Sequence, residues 1–502
     1  MITPVDTINT TTMTEQTTKT NKERLASFNS MDQPITLLNS SARIIESFGT
    51  ASLPKKARTV SSECLTTAFA TATTTTTTTA TAAPVHKKKD IQVLLCGCGN
   101  AVHVLTSFMG QHLLDQNHPS CQEHEYEYTV NVFSLGHGKD LARDTEPTGG
   151  YIRCTNDVGI DTFGKANIIS DNAADVVPGC QVILFALPTD RHEVYLNAMK
   201  PYIQEGTIIG SMPGEGGFDL CVRNVLGPAL ADKCTLFSLD TLPWACRIQT
   251  FGQVVQVLCT KQDIELCVSP GDQCWKVRDL LQPMVGPCPK IRASPTSNFL
   301  GCTLMNPNAM AHPAILYGLL RHWDGVTPFE KPPLFYQALD EYTANVMDGV
   351  SQEILAIKAA ILKEYPSVDL KSVRSIGDFF EEAYRDDILD HSSLCKMFNS
   401  NKGYDGLTMP TKKVKGGYVP LFDHRYLSED LPCGMLVQKG IAELAGVATP
   451  VMDKVIAWCQ AKNNTEYMIN GKLEGKDFVT TKAPQRYGYT DLKSFMEDNG
   501  YV

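Results

Sequence analysis

Between Ile91 and Leu239 the chain repeats one pattern, a short run apolar on both faces followed by a longer stretch of helical character. Ile91-Gln92-Val93-Leu94-Leu95-Cys96 is the first such run; Tyr128 to Leu135, Val182 to Leu187, Thr207 to Gly210 and Cys234 to Leu239 follow. Runs of this kind are what parallel strands need when helices cover both faces of their sheet. Helix-length stretches such as Arg191 to Ile203 lie between several of them. The alternation predicts an α/β domain built on a doubly wound sheet.

After about Asn298 the period changes. Phe335, Leu339, Tyr342, Val346, Val350, Ile354, Ile357 and Ile361 recur at helical spacings, which predicts one long amphipathic helix. Tyr365-Pro366 should end it, because proline lacks an amide hydrogen and its ring clashes with the preceding turn. The C-terminal half is therefore expected to be mainly helical. Before Lys87-Lys88-Lys89-Asp90 the character differs again: Thr, Ser, Ala and Lys dominate, Thr73 to Thr79 is unbroken threonine, and no apolar period persists. Residues 1–88 read as a disordered Thr/Ser-rich tail, residues 89–290 as the α/β domain and residues 291–502 as the helical domain. Acids such as Glu15, Glu23, Asp32 and Glu46 speak against an acid-poor transit peptide in the tail.

Composition then narrows the classes of function. The 502 residues, 43% hydrophobic, suffice for two globular domains. With Lys+Arg 45 against Asp+Glu 55 the net charge is -10, so a field that would gather nucleic acid or anionic lipid is missing. Small molecules are the expected partners, with neither nucleic acid nor membrane among them. No apolar run approaches the roughly 18 residues of a membrane helix, and no secretory leader is apparent. The 17 cysteines are odd in number and scattered, which points to free thiols and a cytoplasmic setting.

The candidate chemistry begins directly after the first buried strand, at Gly97-Cys98-Gly99-Asn100-Ala101. A glycine at the first position permits a tight turn, the next lets a pyrophosphate approach the backbone, and the helix expected over Val102 to Leu114 offers its N-terminus to the phosphates. Val102 stands where a third glycine would ordinarily be, which should push the helix slightly outward. Cys96 and Cys98 read as packing residues, since no second pair of metal ligands stands near them. The second strand ends Phe133-Ser134-Leu135-Gly136-His137-Gly138-Lys139, without the acid that would hold an NAD ribose. Lys139 and Arg143 either meet the 2′-phosphate of NADP or are solvated surface charges, so NAD or NADP is expected.

Four segments extend this reading. They are Gly97-Cys98-Gly99-Asn100 with His103, then Leu242-Pro243-Trp244-Ala245-Cys246-Arg247, then Asn306-Pro307-Asn308 with His312-Pro313, and finally His424-Arg425-Tyr426-Leu427-Ser428-Glu429-Asp430. In this order they resemble the opine (octopine/nopaline) dehydrogenase family over residues 91 to about 450. The resemblance implies a Rossmann dinucleotide-binding domain followed by an all-α opine dehydrogenase domain. It also implies a reaction in which an amino acid and a 2-oxo acid such as pyruvate condense to an imine that is reduced by NAD(P)H.

Such a reaction needs a group that donates and accepts a proton near working pH, and histidine suits that task. By sequence alone His312 reads as structural, because Pro307 and Pro313 bracket a turn; the family motif makes it the catalytic candidate. Asp430 is the carboxylate expected to fix its tautomer, with Asp423 and Glu429 as rivals. Arg425 is suited to a bidentate grip on an oxo-acid carboxylate, and the resemblance gives the matching positions these roles. A surface charge cluster is the plain alternative for Arg425, Glu429 and Asp430. Asn306 either caps a helix or orients substrate; Trp244, Trp323 and Phe335 read first as core aromatics. Two other functions stay open: a related dehydrogenase of a 2-oxo acid or polyol, and a non-catalytic dinucleotide-binding sensor.

Overall fold

In the computed structural model, residues 88–110, 125–214 and 216–502 are described, so the expected tail over residues 1–88 lies, but for its last residue, outside the described residues. The predicted strands form. Lys89–Cys96 (β1), Tyr126–Phe133 (β2), Tyr151–Thr155 (β3), Asp161–Lys165 (β4), Ile168–Ser170 (β5) and Val182–Phe185 (β6) come first. Ile208–Ser211 (β7), Thr235–Leu239 (β8), Trp244–Thr250 (β9), Val254–Thr260 (β10), Asp263–Ser269 (β11) and Lys290–Ala293 (β12) complete the α/β half. Eight of them make one sheet in the order β12-β11-β8-β7-β6-β1-β2-β5, parallel except where β11 runs against β8.

Strand alternation divides the apolar side chains of β1 between two cores. Val93 and Leu95 join Val102, Val104 and Leu105 on one face, while Leu94 and Cys96 face the other. Cys96 packs there, its thiol 3.7 Å from the Met199 sulfur. The helix after the turn, Asn100–Met109 (α1), lies between this sheet and a second one of order β4-β3-β10-β9. Close packing is achieved on that second side: a Cβ at Gly164 of β4 would lie 2.4 Å from the Thr106 carbonyl. Val102, at the position usually given to a third glycine, is fully buried. The last residues expected for this helix, 111–114, lie outside the described ones.

The second half is helical, with one inserted hairpin, Thr411–Val414 (β13) against Gly417–Pro420 (β14). Pro307–Leu320 (α2) is apolar almost all round and is buried accordingly. The two prolines do not bracket a turn. Pro307 takes the first helical position, where a missing amide hydrogen costs nothing, and Pro313 lies inside the helix, so His312 sits on a packed helix rather than at a bend. The long helix runs over Glu341–Glu364 (α3), stopping before Pro366 as expected. Phe335 and Leu339 precede it, although they kept its spacing. Asp340 ends the preceding loop by capping α3, its carboxylate accepting from the Thr343 amide at 2.9 Å. Phe335 and Leu339 are nevertheless buried, which is why they carried the helical apolar pattern.

The outer face of the main sheet and the helical half share one continuous core. Phe185 packs edge-on against Phe218, whose ring in turn stacks on Phe299 at 6.4 Å, joining β6 to the first helix of the helical half. No helix among the described residues is long and apolar enough to cross a membrane.

Candidate active site

The turn after β1 is built by backbone. Gly97 has φ +115°, a conformation strained for any residue with a Cβ, and such an atom would also lie 3.1 Å from the Ala186 carbonyl. Gly99, by contrast, faces open space: nothing lies within 4 Å of a Cβ placed there. It precedes α1, whose N-terminus has no side-chain cap and no acid in its first turn. Uncapped amide groups beside open space fit a pyrophosphate.

The neighbouring side chains brace the turn. Asn100 Oδ1 accepts from the Ile248 amide at 2.8 Å, tying the start of α1 to β9, and Ala101 is buried. Cys98 is half-buried, and burial pushes its thiol up. His103 is fully buried between the Gly99 carbonyl, 3.0 Å from Nδ1, and the Gly252 amide, which donates to Nε2 at 2.9 Å. That arrangement holds the imidazole neutral, and burial lowers its pKa to about 4. The motif drew attention to His103 without revealing this role. At the end of β2, exposed Lys139 lies 3.2 Å from Asp171, and Arg143 contacts both Asp140 and Asp144 at 2.9 Å.

The second group assembles from distant segments. His312 on α2 is buried, with Nδ1 2.7 Å from Asp430 Oδ2 and Nε2 2.8 Å from the Tyr336 hydroxyl. The ring of Tyr426 stacks on His312 at 3.9 Å, and Phe335 closes another side at 5.8 Å. Asp430 is therefore the carboxylate on the histidine. Glu429 points elsewhere: one oxygen accepts from the Thr189 amide at 2.9 Å and the other holds Arg425 Nε and Nη2 at 2.9 and 2.8 Å. Asp423 is exposed. Arg425 opens a short helix, Arg425–Ser428 (α4), and over half of its side chain remains accessible. Thr189 follows β6, so this chain of contacts links the C-terminal edge of the sheet, where α/β folds place ligands, to Arg425.

Asn306 caps α2, its oxygen accepting from the Asn308 and Ala309 amides, as one of its two readings anticipated. Trp244 and Phe335 are core residues. Trp323 packs with Phe329 and Phe422 near Lys462. Sequence reasoning missed Tyr336, for which no signal existed, since it lies in a loop outside any period.

Comparison with known proteins agrees with this architecture. Residues 295–463 match the family model for the NAD/NADP octopine/nopaline dehydrogenase alpha-helical domain. Tauropine dehydrogenase of Arabella iricolor is 36% identical over 415 residues, covering 81% of this chain and 100% of its own. Octopine dehydrogenase of Pecten maximus is 39% identical over 412 residues, 81% of this chain and 98% of its own. A solved octopine dehydrogenase with NADH and L-arginine superposes with a TM-score of 0.72 at 34% identity, covering 81% of this chain and 97% of that one. The chain belongs to the octopine/nopaline dehydrogenase family, oxidoreductases that act on CH–NH groups with NAD or NADP.

Proposed function

We propose that this protein joins the amine of an amino acid to a 2-oxo acid and reduces the imine with NADH or NADPH, in a reversible reaction. The observation that carries the reading is the buried His312, held by Asp430 five residues beyond Arg425, on a segment that Glu429 ties through Thr189 to the sheet edge carrying the Gly97 turn. Octopine dehydrogenase has been solved with NADH and L-arginine, with NADH and agmatine, and with NADH and pyruvate, which supports an amine and an oxo acid as partners here.

The residues divide the work. Gly97, Cys98, Gly99, Asn100 and Ala101 form the seat for the pyrophosphate, through backbone rather than side chains. When bound, the dinucleotide supplies the hydride that reduces the C=N bond. Arg425 holds the oxo-acid carboxylate, and Glu429 orients it from behind. Asp430 keeps the hydrogen of His312 on Nδ1, so that Nε2 exchanges a proton with the substrate side. Closure of the two halves over bound substrates would exclude water that hydrolyses the imine. Lys139 and Arg143 already face carboxylates, so a 2′-phosphate would have to displace them; this favours NADH. The free thiols fit a cytoplasmic setting.

The decisive experiment is a turnover panel of amino acids crossed with pyruvate and other 2-oxo acids, run with NADH and with NADPH. Oxidation of the dinucleotide should require both an amine and an oxo acid. Equal rates with oxo acid alone would replace this reading by a simple 2-oxo acid dehydrogenase.

A further inference from the structure

We propose that Tyr336 carries the proton between His312 and the substrate oxygen, making the tyrosine hydroxyl the tip of the acid–base unit. The proposal rests on the opine reading above.

Both nitrogens of His312 are engaged by protein: Nδ1 by Asp430 at 2.7 Å and Nε2 by Tyr336 at 2.8 Å. With the carboxylate accepting from Nδ1–H, Nε2 is left as an acceptor and the Tyr336 hydroxyl donates to it. The ring faces give no alternative route, because Tyr426 lies flat against the imidazole and Phe335 abuts it. His312 is only 6% exposed and Tyr336 is half-buried, so the hydroxyl is the one polar atom that the imidazole meets at Nε2.

Tyr336 is also poorly placed to swing aside. Its ring stacks on Tyr404 at 4.2 Å and 21°, meets Phe335 edge-on at 4.8 Å, and neighbours Phe398. A hydroxyl fixed in this way conducts protons without moving. Burial holds the phenol well above its ordinary pKa, so it does not store negative charge and must gain one proton as it gives another.

In the condensing direction the step balances as follows. The Nε2–H bond of the imidazolium breaks and its proton moves to Tyr336 Oη. The Oη–H bond breaks at the same time, and that proton goes to the carbinolamine hydroxyl. The C–O bond then breaks with its electron pair, water leaves, and the nitrogen lone pair forms the C=N bond. His312 ends neutral, Tyr336 is unchanged, and nothing is oxidised or reduced until hydride transfer.

Tyr336→Phe tests this, because it keeps the ring and its stacking and removes only the hydroxyl. We expect kcat to fall by about 100-fold or more, the range of a lost general acid, with KM for both substrates nearly constant. Its loss should not add to that of His312→Gln, since both break one relay. NADH binding, read by fluorescence, should be retained. A kcat within about threefold of the parent, losses that add, or a lower KM at unchanged kcat would each overturn the relay. The last would mean that the hydroxyl is merely displaced by substrate. If the parent does not require both substrates, or His312→Gln leaves turnover intact, the opine reading fails and the relay with it. Failure of Tyr336→Phe alone removes only the relay.

Discussion

The Gly97 turn and the His312 site solve opposite problems. The turn is contiguous in sequence and works through backbone, so what matters there is the absence of side-chain atoms. The histidine site joins residues 118 positions apart and works through side chains whose directions are fixed by packing. A backbone site is therefore indifferent to the chemistry of its neighbours but intolerant of a Cβ at a strained position. A side-chain site tolerates nothing that alters polarity, even when the fold is untouched.

The largest expected effect lies at the second site. Asp430→Asn keeps the shape but removes the acceptor that fixes the tautomer, and kcat should fall by about 10²- to 10⁴-fold with near-normal thermal stability. Steady-state kinetics beside a melting curve checks this; a loss of turnover matched by loss of fold would place Asp430 in the structure only. Next comes the turn's buried histidine. His103 has a folded-state pKa of about 4 against 6.5 for the ordinary group, so the unfolded chain takes up the proton first. Its contribution is intact above pH 6.5 and is lost as pH falls toward 4, by about 3 kcal/mol. Urea unfolding across that window should show a shallower acid loss in His103→Gln; identical slopes would contradict the assignment.

Smaller effects separate the two glycines. Gly97→Ala meets both strain and the Ala186 carbonyl and should cost about 1–3 kcal/mol of stability, measured by chemical denaturation. Gly99→Ala has space within the protein, so stability should hold while the Kd for NADH rises, by about tenfold in titration. Equal loss of stability in both would mean that the turn is a structural device and not a seat for phosphate.

What the sequence revealed follows from the same contrast. β1, β2, β6, β7 and β8 were legible because strands buried on both faces carry mostly apolar runs. β3 and β4 were not: each is short and buries only two residues, so polar residues interrupt any run. The helix α3 was legible, but its apolar spacing ran back to Phe335, since a buried loop can mimic the period of a helix. His312 and Asp430 were legible only through the family motif, and Pro313 was misleading because a helix interior accommodated it. Tyr336 reaches His312 across 24 residues from a loop, a relation that no local pattern encodes.

The stack of Phe218 on Phe299 has a consequence for how the molecule is made. A chain leaving the ribosome completes the dinucleotide sheet at Ala293, before Phe299 and the helices beyond it exist to cover that side. The first half thus waits with part of its apolar backing bare, exposed to aggregation until synthesis supplies the rest. Chaperones that hold nascent chains should engage this protein most strongly in that interval, and release it as the helical half closes over the sheet.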